Sequence, residues 1–262
     1  MRADRLRKGL RSPRLRNFLK KTAVTALWLV LWQLVYMAVD MELLVASPAA
    51  VVRRLWILGG TSAFWMNALL SLGRITAGFL LGCGAGVLLA AACCRFAFAR
   101  AFFSPAVTVV KSTPVASFII LALVWLTGQW VPVFIAFLIV LPVVYANVSE
   151  GIRATDPALL EMAAVYGMPR RRRLTAITVP SVMPYFMAAC RSALGMAWKA
   201  GVAAEVIGVT RNSVGRELYY AKIYLETADL FAWTAVVVVM SLLLEKGFVT
   251  AMERISRRYH WK

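Results

Sequence analysis

Apolar runs long enough to cross a lipid bilayer recur along this chain, and they decide what it can fold into. A helical span needs roughly 20 apolar residues, and such runs lie at about 22–39, 67–92, 102–127, 131–148, 184–207 and 230–251. In lipid the backbone has to satisfy its own hydrogen bonds, so only helices and closed barrels cross. The short alternating strands of a barrel are absent from the sequence. The expected fold class is all-α, a polytopic membrane protein of about six transmembrane helices. Composition agrees, because 61% hydrophobic and 16% charged residues leave too little polar surface for a soluble domain of 262 residues.

A formal net charge of +18 would suit a nucleic-acid binder, but the charges sit in the wrong places for one. Nine of the thirty Lys and Arg residues fall within positions 1–21, directly before the first apolar run. Counted over loops and ends on the six-span reading, twenty basic residues lie on one side and five on the other. Basic residues concentrate on the cytoplasmic side of membrane proteins. The expectation is a bacterial inner-membrane protein with both termini cytoplasmic, the lipid bilayer as its surroundings and no nucleic-acid partner. Residues 1–21 form a basic cytoplasmic segment, 22–251 the membrane domain and 252–262 a basic cytoplasmic tail.

The first run is eighteen residues long and contains Trp28, Trp32 and Tyr36. Signal-peptide cores run about 7–15 residues, so it reads as a retained span. Outside, Ser47-Pro48 begins a short helix that Gly59-Gly60 ends, with Val51, Val52, Leu55 and Trp56 on one side, read as lying at the membrane surface. In the second span Gly78, Gly82, Gly84 and Gly86 make a small-sided section that a neighbour can approach closely. Lys111-Ser112-Thr113-Pro114 interrupts the third run, which reads as a broken helix. Cys83, Cys93, Cys94 and Cys190 show neither metal-ligand nor redox spacing and read as reduced packing residues, so no metal or other cofactor is expected.

The long loop 149–183 carries the most informative pattern. Asp156-Pro157 opens a helix, since Asp accepts free backbone N–H groups and Pro has none to leave unpaired. Gly167 closes it about ten residues later, and Pro169 opens a second short helix before Pro180 and Pro184 lead into the fifth span. Leu159, Leu160, Ala163, Ala164 and Tyr166 are available to dock on another surface, and Glu161 offers a carboxylate. On spacing alone, the alternative is a loop packed beneath its own bundle.

The pattern Glu161-Met-Ala-Ala-Val-Tyr-Gly167-Met-Pro169 through Ile177-Thr-Val-Pro180 resembles the cytoplasmic coupling motif of ABC importer permeases, within them the nitrate, sulfonate and taurine type. Ser71-Leu-Gly73-Arg74, Ala77-Gly78-Phe79, Pro114, Asp156-Pro157 and the stretch 191–205 extend the resemblance over nearly the whole chain. It implies a type I ABC importer permease-like fold. It implies that Glu161, Met162, Ala163, Ala164, Gly167, Pro169 and Pro180 meet cytoplasmic ATP-binding cassette subunits. Met162 departs from the family's usual Ala, so the facing groove has to admit a longer side chain. A second permease copy, in a homodimer, and an extracytoplasmic solute-binding protein are the other implied partners. No Gly-x-x-x-x-Gly-Lys-Ser/Thr loop occurs here, so ATP hydrolysis is expected from a separate subunit and the chain is not expected to be an enzyme.

Charged residues within spans are costly and therefore candidate pathway residues. In the fifth span Arg191, Trp198 and Glu205 share one stripe and Ser192 and Lys199 a neighbouring one. Arg191 and Lys199 would favour an anion such as a sulfonate, taurine or nitrate; snorkelling of Arg191 and pairing of Glu205 with an outer basic residue are the structural alternatives. Ser112 and Thr113 either line a cavity at the helix break or mark an interfacial kink. A gradient-driven secondary transporter or channel would want a midplane carboxylate or repeated spans, and an intramembrane enzyme has only His260 and no paired in-span carboxylates to work with.

Overall fold

A computed structural model describes residues 13–258, and among these every regular element is helical. The order is α1 (Pro13–Val39), α2 (Pro48–Gly59), α3 (Ser62–Arg95), α4 (Ala97–Ser112), α5 (Val115–Trp125), α6 (Val131–Arg153), α7 (Pro157–Val165), α8 (Arg170–Arg173), a π-helical turn (Leu174–Thr178), α9 (Val179–Ile207), α10 (Val214–Ile223) and α11 (Thr227–Arg258). Most of the basic segment 1–21 and the end of the tail lie outside the described residues.

The core is built where α3 meets α6. Between membrane helices there is little hydrophobic force, so association depends on close packing and hydrogen bonds. Gly78, Gly82 and Gly86, one turn apart, form a smooth groove. A Cβ on Gly82 would come 2.7 Å from Val140 Cβ and 2.9 Å from the Phe137 carbonyl, and one on Gly86 would come 2.8 Å from Val144 Cβ. Gly84 faces open space, so the small-sided section is a one-faced groove of three glycines rather than four.

These contacts also give direction. Gly82 meets Val140, Gly86 meets Val144, and Cys94 Sγ lies 4.0 Å from the Ser149 carbonyl, so α3 and α6 run parallel. Parallel neighbours need a connection that returns across the full thickness of the bundle. The pair α4 and α5 makes that return. The two are bent by 108° at residues 113–114, where Pro114 has no N–H and disfavours helix in the residue before it. The broken third helix expected from the sequence is therefore present, starting earlier, at Ala97.

α9 fills the groove between α3 and α6 in the opposite sense. Ser71 meets Glu205, Gly201 meets Ile75, Cys83 Sγ lies 3.7 Å from Cys190 Sγ, and Gly151 backs onto Tyr185. The four cysteines are free thiols. α11 closes one side through Trp198, whose indole donates to the Val237 carbonyl at 3.1 Å, and through Phe79 against Phe248.

Among the described residues four helices are long and apolar enough to cross a membrane, and the bent pair makes a fifth candidate. α9 matches them in length, at about 44 Å, but Arg191, Lys199 and Glu205 dilute its apolar character. α9 also begins at Val179, earlier than the sequence pattern implied, and takes Pro184 into its interior.

Two expectations at the other end change. The short helix α2 does not present Val51, Val52, Leu55 and Trp56 as one face. Val51 is buried in a cluster with Ala232 of α11 and Leu55 packs beside it, while Trp56 points outward at 86% exposure. Arg54 pairs with Asp229 on α11 through both guanidinium and carboxylate faces, which raises the Arg54 pKa. The stretch 208–229 is not a plain loop, since it contains α10, capped by Ser213 Oγ accepting from Arg216 N at 3.0 Å.

The glycine groove sets a direct test. Gly82→Leu should overpack the α3–α6 contact and lower stability by about 1–3 kcal/mol or more, seen as a lower temperature of aggregation in detergent. Gly84→Ala should leave it unchanged.

Candidate functional site

The two ends of α9 carry the polar features of the chain. At the end reached by α3 and α6, Asp156 caps α7 by accepting from Ala158 N at 2.8 Å. The helix ends in a Schellman turn, with Met168 N bonded to Ala163 O at 2.9 Å and Gly167 N to Ala164 O at 3.0 Å. Gly167 sits at φ +60°, where any side chain would be strained.

α7 has two faces. Ala163 is 1% exposed and belongs to the chain's own interior. Leu159, Met162, Val165 and Tyr166 project away, Val165 and Tyr166 at 85% and 81% exposure, and Glu161 and Ala164 are exposed beside them. Pro169 caps α8, and the π turn follows, where Val179 N reaches back five residues to Leu174 O. The ladder widens one residue before Pro180, which has no N–H to offer. Thus α7, α8 and α9 form a nearly continuous helical path from Asp156 to Ile207, and the sequence residues Glu161 to Pro180 sit together at one end of the bundle.

Along α9 the charges separate by side. Arg191, Ser192 and Lys199 lie on an exposed face with Ala188 and Met196, while Ala193, Leu194, Ala197 and Trp198 are buried, Trp198 at the border beside Arg191. Lys199 stands level with Ile75 to Phe79, about midway along α3. Glu205 is not on that face.

Instead the Glu205 carboxylate is wholly buried at the far end. Its Oε2 accepts from Ser71 Oγ at 2.7 Å and from Gly215 N at 3.2 Å, and its Oε1 lies 3.8 Å from Arg74 Nη1. Ser71 Oγ accepts in turn from Val214 N at 2.9 Å. Arg74 donates to the carbonyls of Asn212 and Arg211 at 3.0 and 3.1 Å. A buried carboxylate thus ties the start of α10 to α3 and α9, the pairing with an outer basic residue that the sequence had left as one alternative. The sequence named Ser71, Arg74 and Glu205 but not α10. Ser213 as an N-cap was the signal that could have found it.

Near Asn67 the same end holds Glu217, whose carboxylate accepts from Asn67 Nδ2 at 3.1 Å while partial burial raises its pKa. At the helix break, Ser112 Oγ donates to the Thr108 carbonyl and Thr113 Oγ1 to the Val109 carbonyl, at 2.9 and 2.8 Å. Both hydroxyls are thereby satisfied by carbonyls of the last turns of α4. Among the described residues no group of His, Cys, Asp and Glu has the arrangement of a metal site.

Residues 78–260 match the family described as binding-protein-dependent transport system inner membrane component. The nitrate import permease protein NrtB of Synechococcus elongatus is 27% identical over 76% of this chain and 75% of its own. The putative aliphatic sulfonates transport permease protein SsuC of Bacillus subtilis is 25% identical over 91% and 86%. The taurine transport system permease protein TauC of Escherichia coli is 23% identical over 87% and 84%. A solved bacterial ABC transporter involved in the import of alginate superposes with a TM-score of 0.60, at 17% identity over 97% of this chain and 99% of that one, a likeness of fold.

The Arg74–Glu205 contact can be tested without reference to any relative. Arg74→Met leaves a buried carboxylate without its cation and should cost roughly 3–5 kcal/mol. The double variant Arg74→Met, Glu205→Leu should recover part of that loss. Protease cleavage within 208–224 of the purified protein reads the difference.

Proposed function

The chain belongs to the binding-protein-dependent transport system inner membrane components, the permease subunits of ABC importers, and from that premise we propose how its parts divide the work. The outward face of α7 is the contact with a cytoplasmic ATP-binding cassette subunit. The observation that carries this reading is a short helix fixed at both ends, by Asp156 and by the Gly167 turn, that nonetheless leaves Leu159, Met162, Val165 and Tyr166 uncovered. Apolar side chains exposed on a water-facing loop are stabilised by a partner with a matching groove. Glu161 adds a carboxylate at the same face for a basic partner residue. Ala163 supports α7 from inside, and Pro169 and Pro180 shape the path into α9.

In this reading α9 also spans the membrane, as the fifth of six spans in chain order, and lines the pathway. A Lys at mid-depth facing lipid costs about 2.5–3.5 kcal/mol on insertion scales. Lys199 is relieved of that cost if its face is covered by a second permease copy around an aqueous path. Arg191 and Ser192 continue the same face. Two copies would give a cationic path suited to a small anion, and relatives named for nitrate, sulfonates and taurine are consistent with such cargo. An extracytoplasmic solute-binding protein would deliver it at the end formed by α2 and α10. The charge bias in the sequence puts α7 and both termini in the cytoplasm.

Co-purification tests the coupling. Wild type carrying an affinity tag should bring its ATPase through mild detergent, whereas Gly167→Val, strained at φ +60°, and Glu161→Lys should lose most of it while inserting normally. An ATPase retained equally by both variants, or absent from the wild type, rejects the assignment of the contact to α7.

Lys199→Ala tests the pathway. The KM for uptake of the cognate anion should rise severalfold, with ATPase association unchanged. An unaltered KM and substrate range would remove Lys199 from the path.

A further inference from the structure

We infer that the chain binds one anionic phospholipid at the loop end of the bundle, its phosphate on Arg95, Arg170 and Arg173 and an acyl chain in an apolar cleft between α3, α6 and α9. The inference goes beyond the coupling role of α7 and requires only that the bundle lie in a bilayer.

Two adjoining hollows have the shape and polarity of such a ligand. One, of about 350 Å³, is lined by Arg95 at the end of α3, by Arg170 and Arg173 of α8, and by Leu174 and Thr178 of the π turn. The other, of about 400 Å³, shares Leu174 and Thr178 and continues along Val87, Ala91, Val148, Ile152, Val182 and Phe186. Its lining is almost wholly apolar, and no Asp or Glu lines either hollow. The order along the helices matters. On α3 the apolar residues Val87 and Ala91 precede Arg95, and on α9 Val182 and Phe186 follow the arginines of α8. The apolar part therefore lies one to three turns toward the middle of the bundle from the cations. A phospholipid standing in the leaflet presents its parts in that order, phosphate outermost and chain inward.

The partner is a lipid rather than a second copy or the transported solute because of the side on which the cleft opens. At 100° per residue, Val182 and Phe186 lie about 140–180° around α9 from Arg191 and about 100–140° from Lys199. The face available to a pathway and a second permease points the other way. Basic pockets between membrane helices at the cytoplasmic surface favour anionic headgroups, with about 1 kcal/mol per Lys or Arg. Arg170 and Arg173 directly precede the π turn that leads into α9, so the lipid would sit against a stretch where the helical path departs from α-helical pitch.

The test uses the chain purified together with its ATPase and placed in nanodiscs of equal phosphatidylglycerol and phosphatidylcholine, with retained lipid counted by native mass spectrometry. Phosphatidylglycerol should be retained in preference, one per chain. R95A/R173A should reduce it roughly thirtyfold, the factor expected for two arginines. R171A/R172A, with the same charge loss on residues that do not line the hollow, should keep it. A91W, and V182F as a smaller filling, should displace it with no change of charge. Equal loss in the R171A/R172A control, unchanged retention in both cleft-filling variants, or no preference over phosphatidylcholine overturns the site. Displacement by excess inorganic phosphate in wild type, with A91W without effect, would make it a bare anion site and also overturn the lipid. Loss of the ATPase from R95A/R173A with lipid retained would reassign the arginines to a protein contact.

Discussion

The backbone contact between α3 and α6 is what the rest of the bundle depends on. Gly78, Gly82 and Gly86 let two long helices run parallel at a separation that one methyl group would prevent. In lipid, where apolar surface gains little by being covered, that closeness is the source of cohesion. The parallel sense then dictates topology, because a helix leaving α3 at one end has to re-enter at the other before α6 can begin. α4 and α5 exist to meet that demand. At their break before Pro114 the hydroxyls of Ser112 and Thr113 donate back to the Thr108 and Val109 carbonyls and so find partners within α4.

α9 could not be as polar as it is without that pair. Its buried side is made of Ala189, Ala193, Ala197, Ala200 and Ala204 with Trp198, small residues that nestle into the α3–α6 groove. The charges are then distributed by what each position can satisfy. Glu205 is placed where a serine hydroxyl and a helix-start N–H bond one carboxylate oxygen and an arginine stands 3.8 Å from the other. Lys199 and Arg191 are placed on the side the chain leaves uncovered. One helix thus serves as a packing element on one side and as the cationic face of the proposed path on the other.

Much of this was legible in the sequence because membrane constraints are severe. Spans follow from apolar length, the surface helix from Ser47-Pro48 and the loop helix from Asp156 and Gly167, whose caps depend on chemistry local to two or three residues. What escaped were features decided by distant contacts. Gly84 is indistinguishable from its neighbours until α6 is in place. Trp56 and Val51 are both apolar, and only α11 determines which one is covered. α10 was hidden because its sequence, rich in Tyr and charge, lacks the long apolar run that identifies the others. The inward position of Ala163 likewise depends on how the loop folds back on the bundle.

That inward position bears on how coupling would act in the role proposed for α7. A loop helix attached only by its ends would yield when its partner moved. α7 has one face in the chain's own interior at Ala163 and a rigid stop at Gly167, and it continues through α8 and the π turn into α9 with only four residues between the two helical stretches. The most compliant point in the path is the π turn before Pro180, where the hydrogen-bond ladder is already widened. Beyond it α9 extends through Pro184 to Glu205, whose carboxylate holds the first turn of α10. The two faces on which partners are proposed to act, one at each end of the bundle, are joined through α8, the π turn and α9, the helix that carries Arg191 and Lys199.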